Sequence, residues 1–175
     1  MLWLLDEIID SAEGLPIGNY LSQYLANLML CYMMHKLNER WKIDVAEYAD
    51  DFSFLSESKE VLRQVLDFIR EEFADLHLTL KGNYQIFRVA DNRFDKHGRA
   101  IDFVGYKFFR KQKLMRKGIK QNFCRAVAKL NAEKPVKELK PYKQAVAPWL
   151  GWAKHSNSRN LLRTIIYPSY YESIL

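Results

Sequence analysis

The sequence of 175 residues predicts an α+β fold, and three observations carry that expectation. Two runs rich in strand-forming residues, Ile43-Asp44-Val45-Ala46 and Phe52-Ser53-Phe54-Leu55, flank the acidic pair Asp50-Asp51. Segments 20–36 and 58–73 repeat their apolar residues at helical spacing. From Gly118 onward the pattern is helical again, punctuated by Pro135, Pro141, Pro148 and Pro168. Antiparallel strands packed with helices are expected to about residue 110, with helices alone after it.

Element by element, Leu4, Leu5, Ile8 and Ile9 space a first helix. A loop with Gly14, Pro16 and Gly18 follows, then Tyr20, Leu21, Tyr24, Leu25, Leu28, Met29 and Tyr32 mark a helix to about Lys36. Residues 44–55 read as a hairpin with the Asp pair at its tip. Ser58 is an N-cap with Glu60 in the first turn, and Val61, Leu62, Val65, Leu66, Ile69 and Phe73 form a stripe that covers the back of the sheet. Alternation in 76–80 suggests a short strand. Runs 84–90 and 100–109 read as strands on either side of a turn at Asp95-Lys96-His97-Gly98.

Charge is strongly asymmetric. Residues 1–80 carry 6 Lys and Arg against 15 Asp and Glu, a net −9, and residues 81–175 carry 21 against 6, a net +15. The densest block, 110–143, opens with Arg110, Lys111, Lys113, Arg116, Lys117 and Lys120 and holds only Glu133 and Glu138 in opposition. Such a block repels itself unless an anion lies beside it, and nucleic-acid phosphate is the usual partner. A solvated helix face is the alternative, though such faces normally mix both signs. The longest apolar run, 28–34, is too short to span a bilayer, so no membrane is expected. Cys31 and Cys124 lack a His or Cys at ligand spacing, which argues against a disulfide scaffold or zinc site. Both read as reduced, partly buried thiols, and the setting expected is cytoplasmic.

Two adjacent carboxylates repel one another, and a divalent cation relieves that repulsion. Hard oxygen donors suit Mg²⁺, with Mn²⁺ as the alternative ion. Neighbouring side chains in a straight strand point to opposite faces, so only a tight turn lets both reach one ion. The competing reading of Asp50 and Asp51 is an ordinary polar turn.

Gly14-Leu15-Pro16-Ile17-Gly18-Asn19 runs into Tyr20-Leu21-Ser22-Gln23, ahead of Tyr48-Ala49-Asp50-Asp51. With these two motifs the chain resembles a reverse transcriptase, an RNA-directed DNA polymerase, with its Leu-Pro-x-Gly loop, palm helix and Tyr-x-Asp-Asp hairpin. Phe103-Val104-Gly105-Tyr106 resembles that family's primer-gripping strand motif, and Leu150-Gly151-Trp152-Ala153-Lys154-His155 resembles a helix of its thumb. The order and approximate spacing of all four match. Ile17-Gly18-Asn19, with Ser22-Gln23, most resembles the diversity-generating retroelement subgroup, where other reverse transcriptases usually carry Gln at the position of Ile17.

The resemblance implies a partial polymerase palm over 1–110 and a basic helical thumb over 111–175. It implies two metal ions about 4 Å apart, which activate a primer hydroxyl and stabilise the leaving pyrophosphate. Asp50 would be the main ligand and Asp51 a less direct one. Pro16, Ile17, Gly18, Asn19, Gln23 and Tyr48 would border nucleotide and template. Tyr48 reads equally well as strand packing, and Ser22 as a helix cap. Ile17 removes a hydrogen bond near the incoming nucleotide, which suits a retroelement that diversifies sequence. Val104, Gly105 and Tyr106 would hold the primer, and Lys111, Lys113, Lys117 and Lys120 would meet phosphates. Phe103, Tyr106, Phe108, Phe109, Trp149 and Trp152 read as core rather than as base-stacking surfaces.

The partners implied are an RNA template, a DNA primer, a dNTP and a small basic accessory protein. The family's first palm strand carries another catalytic Asp. Only Asp6 and Asp10 precede the loop here, on a helical pattern, so the expectation is the C-terminal part of a polymerase, inactive alone. A non-catalytic nucleic-acid-binding remnant is the second expectation.

Overall fold

The computed structural model describes residues 2–10, 20–133 and 138–174. The chain divides into two units, Met1–Ile86 and Phe87–Leu175. The expected α+β class is the one found.

In the first unit, α1 (Leu2–Ile9) forms where the apolar spacing placed a helix. Helix α2 (Tyr20–Trp41) outruns the expected end at residue 36, because Leu37 continues a buried row with Leu30 and Met33. Lys42, just past it, adopts a φ of +48°, the left-handed conformation that ends many helices. Of the residues that space α2's first turns, Leu21 and Leu25 are half-buried and the others turn outward. Tyr20 is 94 % exposed, and Tyr24, Leu28 and Tyr32 are also exposed. Ser22 lies inside the helix, two residues past its start, and so is not its cap.

Strands β1 (Asp44–Tyr48) and β2 (Asp51–Leu55) pair antiparallel, with Asp44 opposite Leu55 and Tyr48 opposite Asp51. The register leaves a two-residue turn, Ala49-Asp50. Helix α3 (Lys59–Asp75) starts as its sequence predicts, with Ser58 Oγ accepting from the Glu60 N–H at 3.2 Å. Val65 and Ile69 are buried with Met33 and Leu37 of α2, and Val45, Phe52 and Phe54 of the hairpin pack against them. Full burial of each such side chain stabilises by roughly 1.5–3 kcal/mol. Lys36 Nζ donates to Glu72 Oε1 at 2.7 Å, which ties α2 to α3.

Residues 76–80 are not a strand. The His77 N–H donates to the Ala74 carbonyl and the Leu78 N–H to the Phe73 carbonyl, with His77 at φ +55°. Those two bonds make a Schellman cap on α3, and Leu78 packs in the same core cluster as Phe73. The backbone that would have joined a sheet is spent on closing the helix.

The run 84–90, which crosses the division at Ile86, does not form a strand either; it contributes a single parallel bridge, Val89 to Arg99. The chain between folds around Asp95, whose carboxylate accepts from the N–H groups of Asp91 (3.0 Å) and His97 (2.9 Å). These backbone bonds, first that from Asp91, hold the Asp95 carboxyl below the ordinary range. The run 100–109 is broken into β3 (Ile101–Phe103) and β4 (Tyr106–Phe108), and β5 (Lys113–Met115), unforeseen in the sequence, pairs with β4.

Helices α4 (Lys117–Ala132), α5 (Leu139–Lys154), α6 (Arg159–Ile165) and α7 (Tyr171–Ile174) follow, with a 3₁₀ turn Pro168–Tyr170 before the last. Pro141 sits in the first turn of α5, where its missing N–H costs nothing, while Pro148 lies inside that helix. Met115, Phe123, Val127, Tyr142, Val146, Leu162 and Ile166 share one core, so β5 packs with the helices. The boundary expected near residue 110 therefore falls within this unit. Tyr142 Oη donates to Asn131 Oδ1 at 2.8 Å and accepts from the Tyr167 N–H at 3.1 Å. Asn131 Nδ2 in turn reaches the Ile165 carbonyl at 2.9 Å.

Candidate functional site

The hairpin register decides how the acidic pair is displayed. Asp50 occupies the second position of the turn and Asp51 is the first residue of β2, opposite Tyr48. Ala49 has a φ of +53° while Asp50 does not share the positive sign, a pattern typical of a II′ turn, where Gly is the usual first residue. An alanine there carries strain of roughly 1–2 kcal/mol. Asp50 and Asp51 are both exposed, and Tyr48 is 60 % exposed beside them rather than packed.

Asp50 has a partner the sequence did not reveal. Lys81 Nζ donates to Asp50 Oδ2 at 3.2 Å, with both side chains about three-quarters exposed. That bond, followed by Asp50's own N–H and the charge of Lys81, holds the Asp50 carboxyl below its usual range. The two residues lie thirty-one positions apart, so only the fold of the unit pairs them.

Hard carboxylate oxygens on an exposed tip fit part of a divalent-ion site. Among the described residues, however, no group of three His, Cys, Asp or Glu side chains gathers there or elsewhere. Asp50 and Asp51 thus supply part of a donor set. A Mg²⁺ ion held by one or two carboxylates normally completes its shell with water and substrate phosphate.

In the second unit, Val104 (φ +43°) and Gly105 (φ +77°) form the β3–β4 turn, and two positive φ values are the signature of type I′. Gly105 is buried, and a Cβ built on it would lie 2.5 Å from Trp152 Cζ3 and 2.8 Å from Ile119 Cδ1. The close approach at this glycine is made by a tryptophan ring of α5. Val104 is exposed at the turn, a β-branched residue in a conformation that disfavours it. Tyr106 is half-buried, its ring centroid 5.2 Å from that of Trp152 and its hydroxyl donating to the Trp152 carbonyl at 3.3 Å. Burial raises its phenol pKa. Trp149 stacks on Phe123, so these aromatics serve packing, as the spacing suggested.

The four lysines read as phosphate contacts differ in surroundings. Lys111 Nζ lies 3.4 Å from Asp91 Oδ2, and Lys113 is half-buried with its ammonium over the Tyr106 and Phe108 rings. The Lys113 backbone exchanges two 2.7 Å bonds with Asn157, its N–H to Oδ1 and its carbonyl from the Asn157 N–H. Lys117 and Lys120 are exposed in the first turn of α4. Helix α4 also carries Arg125 and Lys129 and contains no Asp or Glu, while Phe123, Val127 and Leu130 face the core. Arg116 precedes it and is paired with Asp102 at 2.6 Å. Cations crowd the end where a helix dipole is already positive, an arrangement that favours a bound anion.

Pro16, Ile17, Gly18 and Asn19 lie outside the described residues. Gln23 is exposed in the first turn of α2. Cys31 is exposed and Cys124 half-buried, both as free thiols. Among the described residues no helix is long and apolar enough to cross a membrane.

The chain thus combines an α+β fold with an exposed Asp-Asp hairpin tip and an acid-free basic helix. The family model for reverse transcriptase (RNA-dependent DNA polymerase) matches residues 3–108, and the chain belongs to that family. A search of the curated proteins returns no match. Membership implies nucleotidyl transfer with a nucleic-acid template and primer, a nucleotide substrate and divalent ions.

Proposed function

We propose that this chain is the palm-and-thumb portion of a reverse transcriptase of the diversity-generating retroelement kind. It takes part in RNA-templated DNA synthesis. The observation that carries this reading is the hairpin tip: Asp50 in the two-residue turn and Asp51 at the start of β2, both exposed, inside the segment that matches the family. In this reading residues 1–110 are the palm and 111–175 the thumb. Asp50 is the principal ligand of Mg²⁺ or Mn²⁺, assisted by Asp51, and the reaction needs a further carboxylate that the hairpin tip does not supply. Pro16, Ile17, Gly18, Asn19, Gln23 and Tyr48 border nucleotide and template. Val104, Gly105 and Tyr106 border the primer, and the basic face of α4 holds duplex phosphates. A basic retroelement accessory protein is the further partner.

A second reading is a nucleic-acid-binding remnant without catalysis. It is favoured by the lack of a third ligand among the described residues.

Two measurements test the proposal. The purified chain is expected to give no measurable primer extension; robust synthesis, lost in Asp50→Ala, would remove the need for a further carboxylate. In thermal melts, Mg²⁺ at millimolar concentration is expected to raise the wild-type Tm by roughly 2 °C or more, and Asp50→Asn should respond less. In EDTA the Asn variant should melt no lower than wild type, because the exposed pair with Lys81 contributes little. A destabilised Asn variant in EDTA, with no Mg²⁺ response in wild type, would leave an ordinary polar turn in place of a metal site.

A further inference from the structure

Lys81 lies where a cation is needed. It is not on the hairpin, follows the Schellman-capped end of α3, and directs its ammonium to Asp50 Oδ2 at 3.2 Å. Among the described residues no His, Cys or third carboxylate joins the acidic pair, so the positive charge at this tip comes from the protein's own lysine. Its exposure matters as much as its position. A buried ammonium–carboxylate pair would be locked in place, whereas this one is open to water on both sides and free to exchange. Lys81 also precedes a turn at Gly82-Asn83, and its own side chain is about three-quarters exposed.

We propose that Lys81 is a built-in counter-ion of Asp50, and that a divalent ion binds the hairpin tip by displacing its ammonium. The inference rests on the reading of Asp50 and Asp51 as ion ligands. Without an ion, Lys81 offsets the repulsion between the two carboxylates and holds Asp50 Oδ2 in a hydrogen bond. When an ion arrives, the Lys81–Asp50 hydrogen bond breaks and the ammonium moves into water. Until then the lysine both occupies one carboxylate oxygen and repels the incoming double charge. The tip is therefore a weaker cation site than two free aspartates would be.

Titration of the whole 175-residue chain with Mn²⁺, read as loss of the free aqueous Mn²⁺ signal in electron paramagnetic resonance, tests this without reference to activity. Lys81→Met should bind Mn²⁺ about threefold to tenfold more tightly than wild type, the scale expected for one solvent-screened charge near a divalent ion. Lys81→Arg, which keeps the charge, should stay near wild type. Lys81 is exposed, so matching circular dichroism melts should show both variants folded. Asp50→Asn separates the ion site from its counter-ion. If Asp50→Asn abolishes binding while Lys81→Met matches wild type, the counter-ion is refuted and the ion site stands. If Asp50→Asn binds as wild type does, the ion site itself is refuted and the counter-ion with it. Tighter binding by Lys81→Met alone, lost again when Asp50→Asn is added, supports the displacement.

Discussion

Gly105→Ala is expected to destabilise the second unit by about 3 kcal/mol, combining a positive φ forced on an L-residue with overpacking. The methyl would meet the Trp152 ring and Ile119 Cδ1 at well under van der Waals distance, and the ring is already held by Tyr106. The neighbouring turn residue should respond in the opposite direction. Val104→Asn gives the Asn-Gly pair that type I′ turns prefer, relieving a β-branched residue at φ +43°. A gain of about 1 kcal/mol is expected there. Urea unfolding followed by tryptophan fluorescence reads both variants, since Trp149 and Trp152 belong to this unit. A loss below about 1 kcal/mol for Gly105→Ala would mean that the Trp152 ring moves aside freely.

Reversing the two exposed lysines of α4's first turn, Lys117→Glu with Lys120→Glu, is expected to move stability and binding in opposite directions. Acids at a helix N-terminus suit its dipole and lysines do not, so the variant should be more stable by about 1 kcal/mol. Affinity for an RNA–DNA duplex should fall on the order of 100-fold at low salt for all sequences alike, because phosphates and not bases are lost. The dependence of log affinity on log salt should become shallower as those contacts go. Filter binding at several salt concentrations, with a melt of the same protein, decides it. A variant that is stabilised yet binds unchanged would show that α4's basic face is merely solvated.

What could be read from the sequence depended on whether the deciding force was local. Helix α3 was legible at its start, since Ser58 and the Val61-to-Phe73 stripe both act within the segment. Its end was not, because the left-handed position of the cap is filled by His77 and offers no glycine to mark it. The hairpin was legible because two strand-like runs close on a pair of acids. By contrast, the break between β3 and β4 was hidden by Val104, where a turn of that type usually shows Asn or Asp. Strand β5 is three residues inside a basic block and exists through its pairing with β4 and the Asn157 clasp. Periodicity found α2 but did not single out its buried row, since residues 20–34 are apolar on nearly every side. Lys81 gave no signal at all: it is a single lysine, and its partner is fixed by tertiary structure.

Helix α2 carries a practical consequence for anyone following this protein's folding by dye fluorescence. Tyr20, Tyr24, Leu28 and Tyr32 present aromatic and aliphatic surface to water in the folded chain. Probes such as ANS report exposed apolar surface and are usually taken as markers of a loosened, molten state. Here the native protein itself supplies a surface for the dye, so a bright signal would accompany intact packing. The dependable marker is the near-ultraviolet dichroism of fixed rings, to which Trp149, stacked 5.8 Å from Phe123, and Trp41, 5.3 Å from Phe68, both contribute.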